Sequence, residues 1–189
     1  MFRLALFASG SGTNVQNICE YFQNHSSIKP EIVLSDRKNA YALERAKKLN
    51  LKNAYFNYGN TSTNDLIWIL HANSISHIIL AGYLRLIPTE IIQLYNDKIL
   101  NIHPSLLPKF GGKGFYGENV HKSVIDSKEK KSGITIHLVN EKYDDGRILF
   151  QKSISVIDGD DVASLSKRIH NLEYKYYPQI IEKYLLNQL

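Results

Sequence analysis

Short apolar runs alternate with stretches of helical spacing through the first half of the chain. Phe2-Arg3-Leu4-Ala5-Leu6-Phe7-Ala8 is mostly apolar, the pattern of a strand buried on both faces. It ends in Ser9-Gly10-Ser11-Gly12-Thr13-Asn14, after which Val15, Ile18, Cys19 and Phe22 recur at helical spacing. Glu31 to Leu34 reads as a second strand and Ala40 to Leu49 as a helix. Asn53 to Phe56 reads as a brief third strand. Asn64 to Ala72 reads as a helix in which Trp68 is expected to pack. Ile75 to Leu80 is a fourth strand, and Ala81-Gly82-Tyr83-Leu84-Arg85 leaves it. Strands separated by helices predict a parallel, right-handed, doubly wound sheet.

The second half has a different rhythm. Lys98-Ile99-Leu100 enters a strand that runs into Asn101-Ile102-His103-Pro104-Ser105-Leu106-Leu107-Pro108. Two prolines stop it from continuing as a central ladder. Gly111-Gly112-Lys113-Gly114-Phe115-Tyr116-Gly117 follows, four glycines in seven residues, and reads as a mobile loop or lid. Val120 to Ile125 is helical. Gly133 to Val139 alternates like a strand, and Ile148 to Val156 reads as its antiparallel neighbour across the acidic turn Asn140 to Gly146. A long helix begins at Asp160, with Pro178 as a place to break before it resumes to Leu186. The fold class is therefore α/β: a mostly parallel sheet, Rossmann-like in its N-terminal half, with an antiparallel pair near the C-terminus. A single domain over 1–189 is expected, with halves at 1–96 and 97–189.

Composition narrows the setting. At 189 residues the chain can bury about 70% of its unfolded surface without staples. A single cysteine, Cys19, excludes an internal disulfide and fits a reducing, cytoplasmic compartment; its helical position predicts a core role. No apolar run is long enough to span a bilayer, and the N-terminus lacks a signal-peptide pattern. The net charge of +5 favours small anionic ligands and argues weakly for nucleic acid.

Three places carry candidate chemistry. Strand, glycine turn and helix at Phe2 to Phe22 form the geometry that seats a phosphate on a helix N-terminus. An ordinary tight turn is the alternative. The dinucleotide fingerprint lacks its third glycine, since Val15 stands there, and no Walker lysine is present. Asp36 is read as a helix cap rather than a ribose ligand. Asn101 and His103 lie two apart and share one strand face. They point either into a ligand crevice or to backbone partners in the interior. Asn donates to a developing oxyanion, His moves a proton, and a carboxylate from the acidic turn can hold the imidazole. No covalent nucleophile and no metal-ligand spacing accompanies them.

These motifs resemble those of the phosphoribosylglycinamide formyltransferases, a branch of the folate-dependent formyltransferase family. The matching stretches are Ser9 to Asn14, Ala81 to Arg85, Asn101 to Pro108 and Tyr143-Asp144-Asp145-Gly146, in order over essentially the whole chain. The resemblance implies transfer of a formyl group from 10-formyltetrahydrofolate, as co-substrate, to the amine of glycinamide ribonucleotide in purine biosynthesis, without a metal. It implies that Gly12, Thr13 and Asn14 hold the substrate phosphate. Leu84, Arg85, Leu86 and Ile87 would line the pteridine pocket. Val139, Asn140, Glu141, Lys142, Tyr143 and Asp144 would form the loop against the folate. Asn101, His103 and Asp144 would be the catalytic trio, Asn101 also meeting folate. Glu173 would touch the ribose, with His170 standing where the family usually has glutamine. The partners would be small molecules, with neither nucleic acid nor membrane.

Two departures stand out. No Lys or Arg occurs from Asn53 through Leu84, where the family usually supplies a folate-binding arginine. The glycine-rich loop before His121 is a few residues longer than in many relatives. Related enzymes acting on other amines typically carry a further C-terminal domain, and the folate-deformylating hydrolase an N-terminal one. The chain's start at the first strand and end after the last helix favour the purine enzyme. A non-catalytic nucleotide-binding module would need the first loop but not Asn101, His103 and Asp144 together.

Overall fold

The structure is a computed structural model that describes residues 1–57 and 59–189. The chain divides into two compact units, Met1–Leu100 and Asn101–Leu189.

The first unit alternates β1 (Phe2–Phe7), α1 (Thr13–Tyr21), β2 (Ile28–Ser35), α2 (Tyr41–Lys48), β3 (Lys52–Tyr55), α3 (Thr63–Ala72), β4 (His77–Leu80) and α4 (Thr89–Leu94). Its strands stand in the order β3-β2-β1-β4 and every pair is parallel. Leu4, Ala5, Leu6 and Phe7 of β1 are fully buried, as a central parallel strand requires. Phe7 meets Phe56 and Tyr83 edge-on, with centroids 5.9 and 5.4 Å apart. Each such pair adds about 0.5–1.5 kcal/mol beyond its area burial. The chain runs outward from β1 on one side to β2 and on the other to β4. The loops leaving β1 and β4 therefore emerge at the switch point, where open α/β sheets bind ligands.

Trp68 departs from expectation. Leu66 and Leu70 of α3 are buried, but Trp68 is 70% exposed. It lies two residues from each, which turns it to the far side of the helix. Cys19 is buried in α1, and burial pushes its thiol up to about 12. Helix α4 follows Pro88 and was not foreseen in the sequence; its six residues are too few for a readable period.

The second unit holds most of β5 (Ile99–His103), then α5 (Glu118–Asp126), β6 (Lys131–Leu138), β7 (Ile148–Ser155) and α6 (Val162–Leu185). Its strand order is β5-β6-β7, and β6 and β7 pair antiparallel with Thr135 opposite Gln151. That pair organises the loop after β5. The Thr135 hydroxyl donates to the Ser105 carbonyl at 2.7 Å and accepts from the Leu107 amide at 3.0 Å and from Gln151 Nε2 at 2.8 Å. Gln151 Nε2 also donates to the Leu107 carbonyl. A buried hydroxyl with all its valences filled fixes the backbone beyond His103.

Helix α6 does not break at Pro178. It runs unbroken for 24 residues with the proline inside it. A proline in a helix interior costs about 3 kcal/mol. Buried residues lie on both sides of it, including Leu165, Ile169, Tyr177, Ile180, Ile181 and Leu185, and each side chain of that size buried stabilises by about 1.5–3 kcal/mol. Packing outweighs the missing bond.

Candidate functional site

In the first unit the predicted phosphate loop spans the gap between β1 and α1. Gly12 adopts the left-handed conformation, φ 73°, as the residue that opens α1, and no side chain caps it. Thr13 and Asn14 thus occupy the first turn rather than the cap position. Glycine at this position has a packing reason. A Cβ at position 12 would stand 2.5 Å from the Ala42 Cα of α2, so the residue must be small for helix packing as well as for its φ. The loop is tied back firmly. The Gly10 carbonyl accepts from the Ala42 amide and the Ser11 carbonyl from Arg45 Nε.

Asp36 is not a helix cap. Helix α2 opens at Ala40 with no side-chain cap. Asp36, at the exit of β2, accepts instead from the Ser9 hydroxyl at 2.6 Å and from Arg85 Nε at 2.8 Å. Ser9 in turn accepts from the Leu84 amide. The chain Leu84–Ser9–Asp36–Arg85 therefore links the predicted phosphate loop to the start of the predicted pteridine segment. Within that segment Ile87 is buried, Leu84 half-buried, and Arg85 and Leu86 exposed.

In the second unit β5 delivers Asn101 and His103 to one face, and His103 is 4% exposed. His103 Nε2 donates to the Phe110 carbonyl at 2.7 Å, and Nδ1 faces Asp144 Oδ1 at 3.4 Å. Both ring nitrogens thus face acceptors, an arrangement that suits the doubly protonated ring. Asp144 sits at φ 53°, a left-handed position uncommon outside glycine. Its other oxygen accepts from the Gly112 amide at 2.9 Å. Burial pushes the Asp144 carboxyl up, but the hydrogen bonds of His103 and His137, the charge of His103 and the Gly112 amide outweigh it. The group is held well below the usual carboxylate range. Asp145 turns outward, its side chain 57% exposed beside Lys142, and accepts from Asn140 Nδ2.

One member of this cluster was not foreseen. His137 of β6, fully buried, lies 3.1 Å from Asn101 Nδ2 and 3.7 Å from Asp144 Oδ1 through its Nε2. Its Nδ1 donates to the Leu138 carbonyl at 2.7 Å. With Nδ1 so engaged, Nε2 is the atom that His137 turns to the Asn101 amide and the Asp144 carboxylate. A signal existed. The alternation of β6 puts Gly133, Thr135 and His137 on one face and Ile134, Ile136 and Leu138 on the other.

The cluster thus brings Asn101, His103 and Asp144 together. Val139 to Tyr143 connect β6 to Asp144, with Val139 and Asn140 half-buried and Glu141, Lys142 and Tyr143 exposed. His170 and Glu173 lie on α6. Glu173 is buried, while His170 is exposed and stacks on Tyr174 at 6.1 Å. The predicted lid is engaged in this state, through the Phe110 carbonyl and the Gly112 amide.

Residues 2–181 match the model of the formyl transferase family, and the chain belongs to that family. It is similar over nearly its whole length to proteins named phosphoribosylglycinamide formyltransferase. The Bacillus subtilis protein is 35% identical, with 98% of this chain and 95% of the relative covered. The chloroplastic protein of Arabidopsis thaliana is 40% identical over 95% of this chain. This chain spans 64% of that plant protein, less than two thirds of its length. The crystal structure of phosphoribosylglycinamide formyltransferase from Bacillus halodurans superposes with a TM-score of 0.89 at 30% identity, covering 97% of this chain and 95% of the other.

Proposed function

We propose that this chain transfers the formyl group of 10-formyltetrahydrofolate to the amine of glycinamide ribonucleotide, a step of purine biosynthesis, as a single functional domain in a cytoplasmic setting. The observation that carries the reading is the Asn101–His103–Asp144 cluster, with His103 buried, hydrogen-bonded through one nitrogen and facing the carboxylate with the other. The family and its similarly named relatives support the same reaction.

The substrate amine attacks the formyl carbon, so a carbon–nitrogen bond forms and the formyl oxygen becomes an oxyanion. Asn101, through one Nδ2 hydrogen, and protonated His103, whose Nε2 exchanges the Phe110 carbonyl for the oxyanion, stabilise that charge. Asp144, kept ionised, holds the imidazole in place. The amine loses a proton, the bond from carbon to the folate nitrogen breaks, and that nitrogen takes up a proton, with His103 assisting the transfer. Gly12, Thr13 and Asn14 hold the substrate phosphate, and Glu173 with His170 meets its ribose. Leu84 to Ile87 and Val139 to Asp144 receive the folate.

Mixing the protein with both substrates and following folate absorbance tests the reading. Turnover is expected in the wild type. His103→Ala should keep substrate binding and lose on the order of 100- to 1,000-fold in kcat, as for other lost oxyanion donors. Near-wild-type turnover in that variant would sink the mechanism.

A further inference from the structure

His121 is a buried imidazole for which the mechanism above has no use. It lies on α5, one turn into the helix, and is 2% exposed. Its Nδ1 is buried with no hydrogen-bond partner among the described residues. An unsatisfied buried polar atom costs about 1–3 kcal/mol, whereas an apolar side chain of similar size would cost nothing there. Its helix packs on α6, which carries His170 and Glu173. His103 and His170 are near enough that their charge bears on its protonation, and burial, the larger effect, pushes it down to about 4. The ring is therefore neutral at physiological pH and suits a neutral partner. The loop leading into α5 carries Gly112, Gly114 and Gly117 at positive φ, and a Cβ at any of them would meet open space. The approach to this first turn is not wedged by side-chain packing at those positions.

We propose that His121 is a further substrate-binding residue, whose Nδ1 is reserved for a neutral hydroxyl or amine group of the ribonucleotide. The proposal rests on the formyl-transfer reading above. A hydroxyl contact is made equally in the ground and transition states, so its loss raises KM and leaves kcat. A contact to the reacting amine strengthens as the bond forms, so its loss lowers kcat.

The test uses the full chain and three variants. The amide of Asn places a polar atom near the position of Nδ1, that of Gln near Nε2, and Leu supplies neither. His121→Leu should melt higher than the wild type yet lose roughly 3- to 10-fold in kcat/KM for glycinamide ribonucleotide, the worth of one neutral hydrogen bond. Its affinity for the formyl-folate should be unchanged. His121→Asn should recover most of the loss and His121→Gln should not. A KM effect assigns the contact to the sugar, and a kcat effect assigns it to the amine. Wild-type kcat/KM in His121→Leu overturns the proposal while leaving the reaction intact. If the Leu variant does not fold, equal kcat/KM in the Asn and Gln variants overturns it. A wild type that does not turn over the ribonucleotide overturns the functional reading and this proposal with it.

Discussion

The two adjacent carboxylates at 144 and 145 stand in opposite environments. Asp144 faces His103 and takes the Gly112 amide, while Asp145 stands in solvent beside Lys142. Asp144→Asn should keep the shape but remove the charge facing the imidazole, with a large loss of kcat. Asp145→Asn should stay near wild type, since exposed charges contribute little and are screened by salt. Side-by-side kcat measurements at neutral pH decide it; a crippled Asp145→Asn with an active Asp144→Asn would reverse the assignment. Asn101, His103 and Asp144 were legible because each lies in a motif whose residues are adjacent in sequence. His137 was not, because its partner Asn101 is 36 positions away and only strand pairing brings them together. The pairing of Asp36 with Ser9 and Arg85 was hidden for the same reason.

At the scale of elements, the apolar runs of β1, β2 and β4 and the alternation of β6 carried the sheet, because burial on one or both faces writes a period into the sequence. Where one interaction overrode a local rule, reading failed. Pro178 signals a stop and α6 ignores it, because the stripe of buried residues continues past it. Close contacts between elements left no readable mark beyond a glycine. Gly146 shows this: a Cβ there would lie 1.8 Å from the Leu138 carbonyl, where the turn carrying Asp144 returns to β6. Backbone must move to admit it. Gly146→Ala should destabilise the protein by about 1–3 kcal/mol, the usual cost of overpacking, and lower activity by displacing Asp144. Gly10→Ala, at a position with open space around it, is the control and should melt like the wild type. Denaturant midpoints of the two variants measure the difference, and equal midpoints would remove the packing argument.

For the whole molecule, the stability lost on acidification has a window set by two histidines, one in each unit. His77, at the start of β4, is pushed down to about 4 by burial and then by the charge of Lys98. His121 is pushed down to about 4 by burial and then by His170 and His103. In the unfolded chain both titrate near their ordinary value of about 6.5. Between those values the unfolded state binds protons that the folded state refuses, so stability falls as pH falls through this range. Each proton steepens the fall by at most about 1.4 kcal/mol per pH unit, less where solvent reaches the ring. The carboxylates act elsewhere. Asp144 and Glu31 have folded values below their ordinary ones of 3.8 and 4.5, so their contribution is complete above those values and is lost as pH falls through and below them. Urea midpoints measured from pH 7 to pH 4.5 should therefore drop for the wild type. The drop should shrink in His77→Gln and in His121→Leu, and shrink most in the double variant, because neither replacement titrates. If the double variant loses stability as steeply as the wild type, the acid response arises from other groups and the two buried imidazoles do not set it.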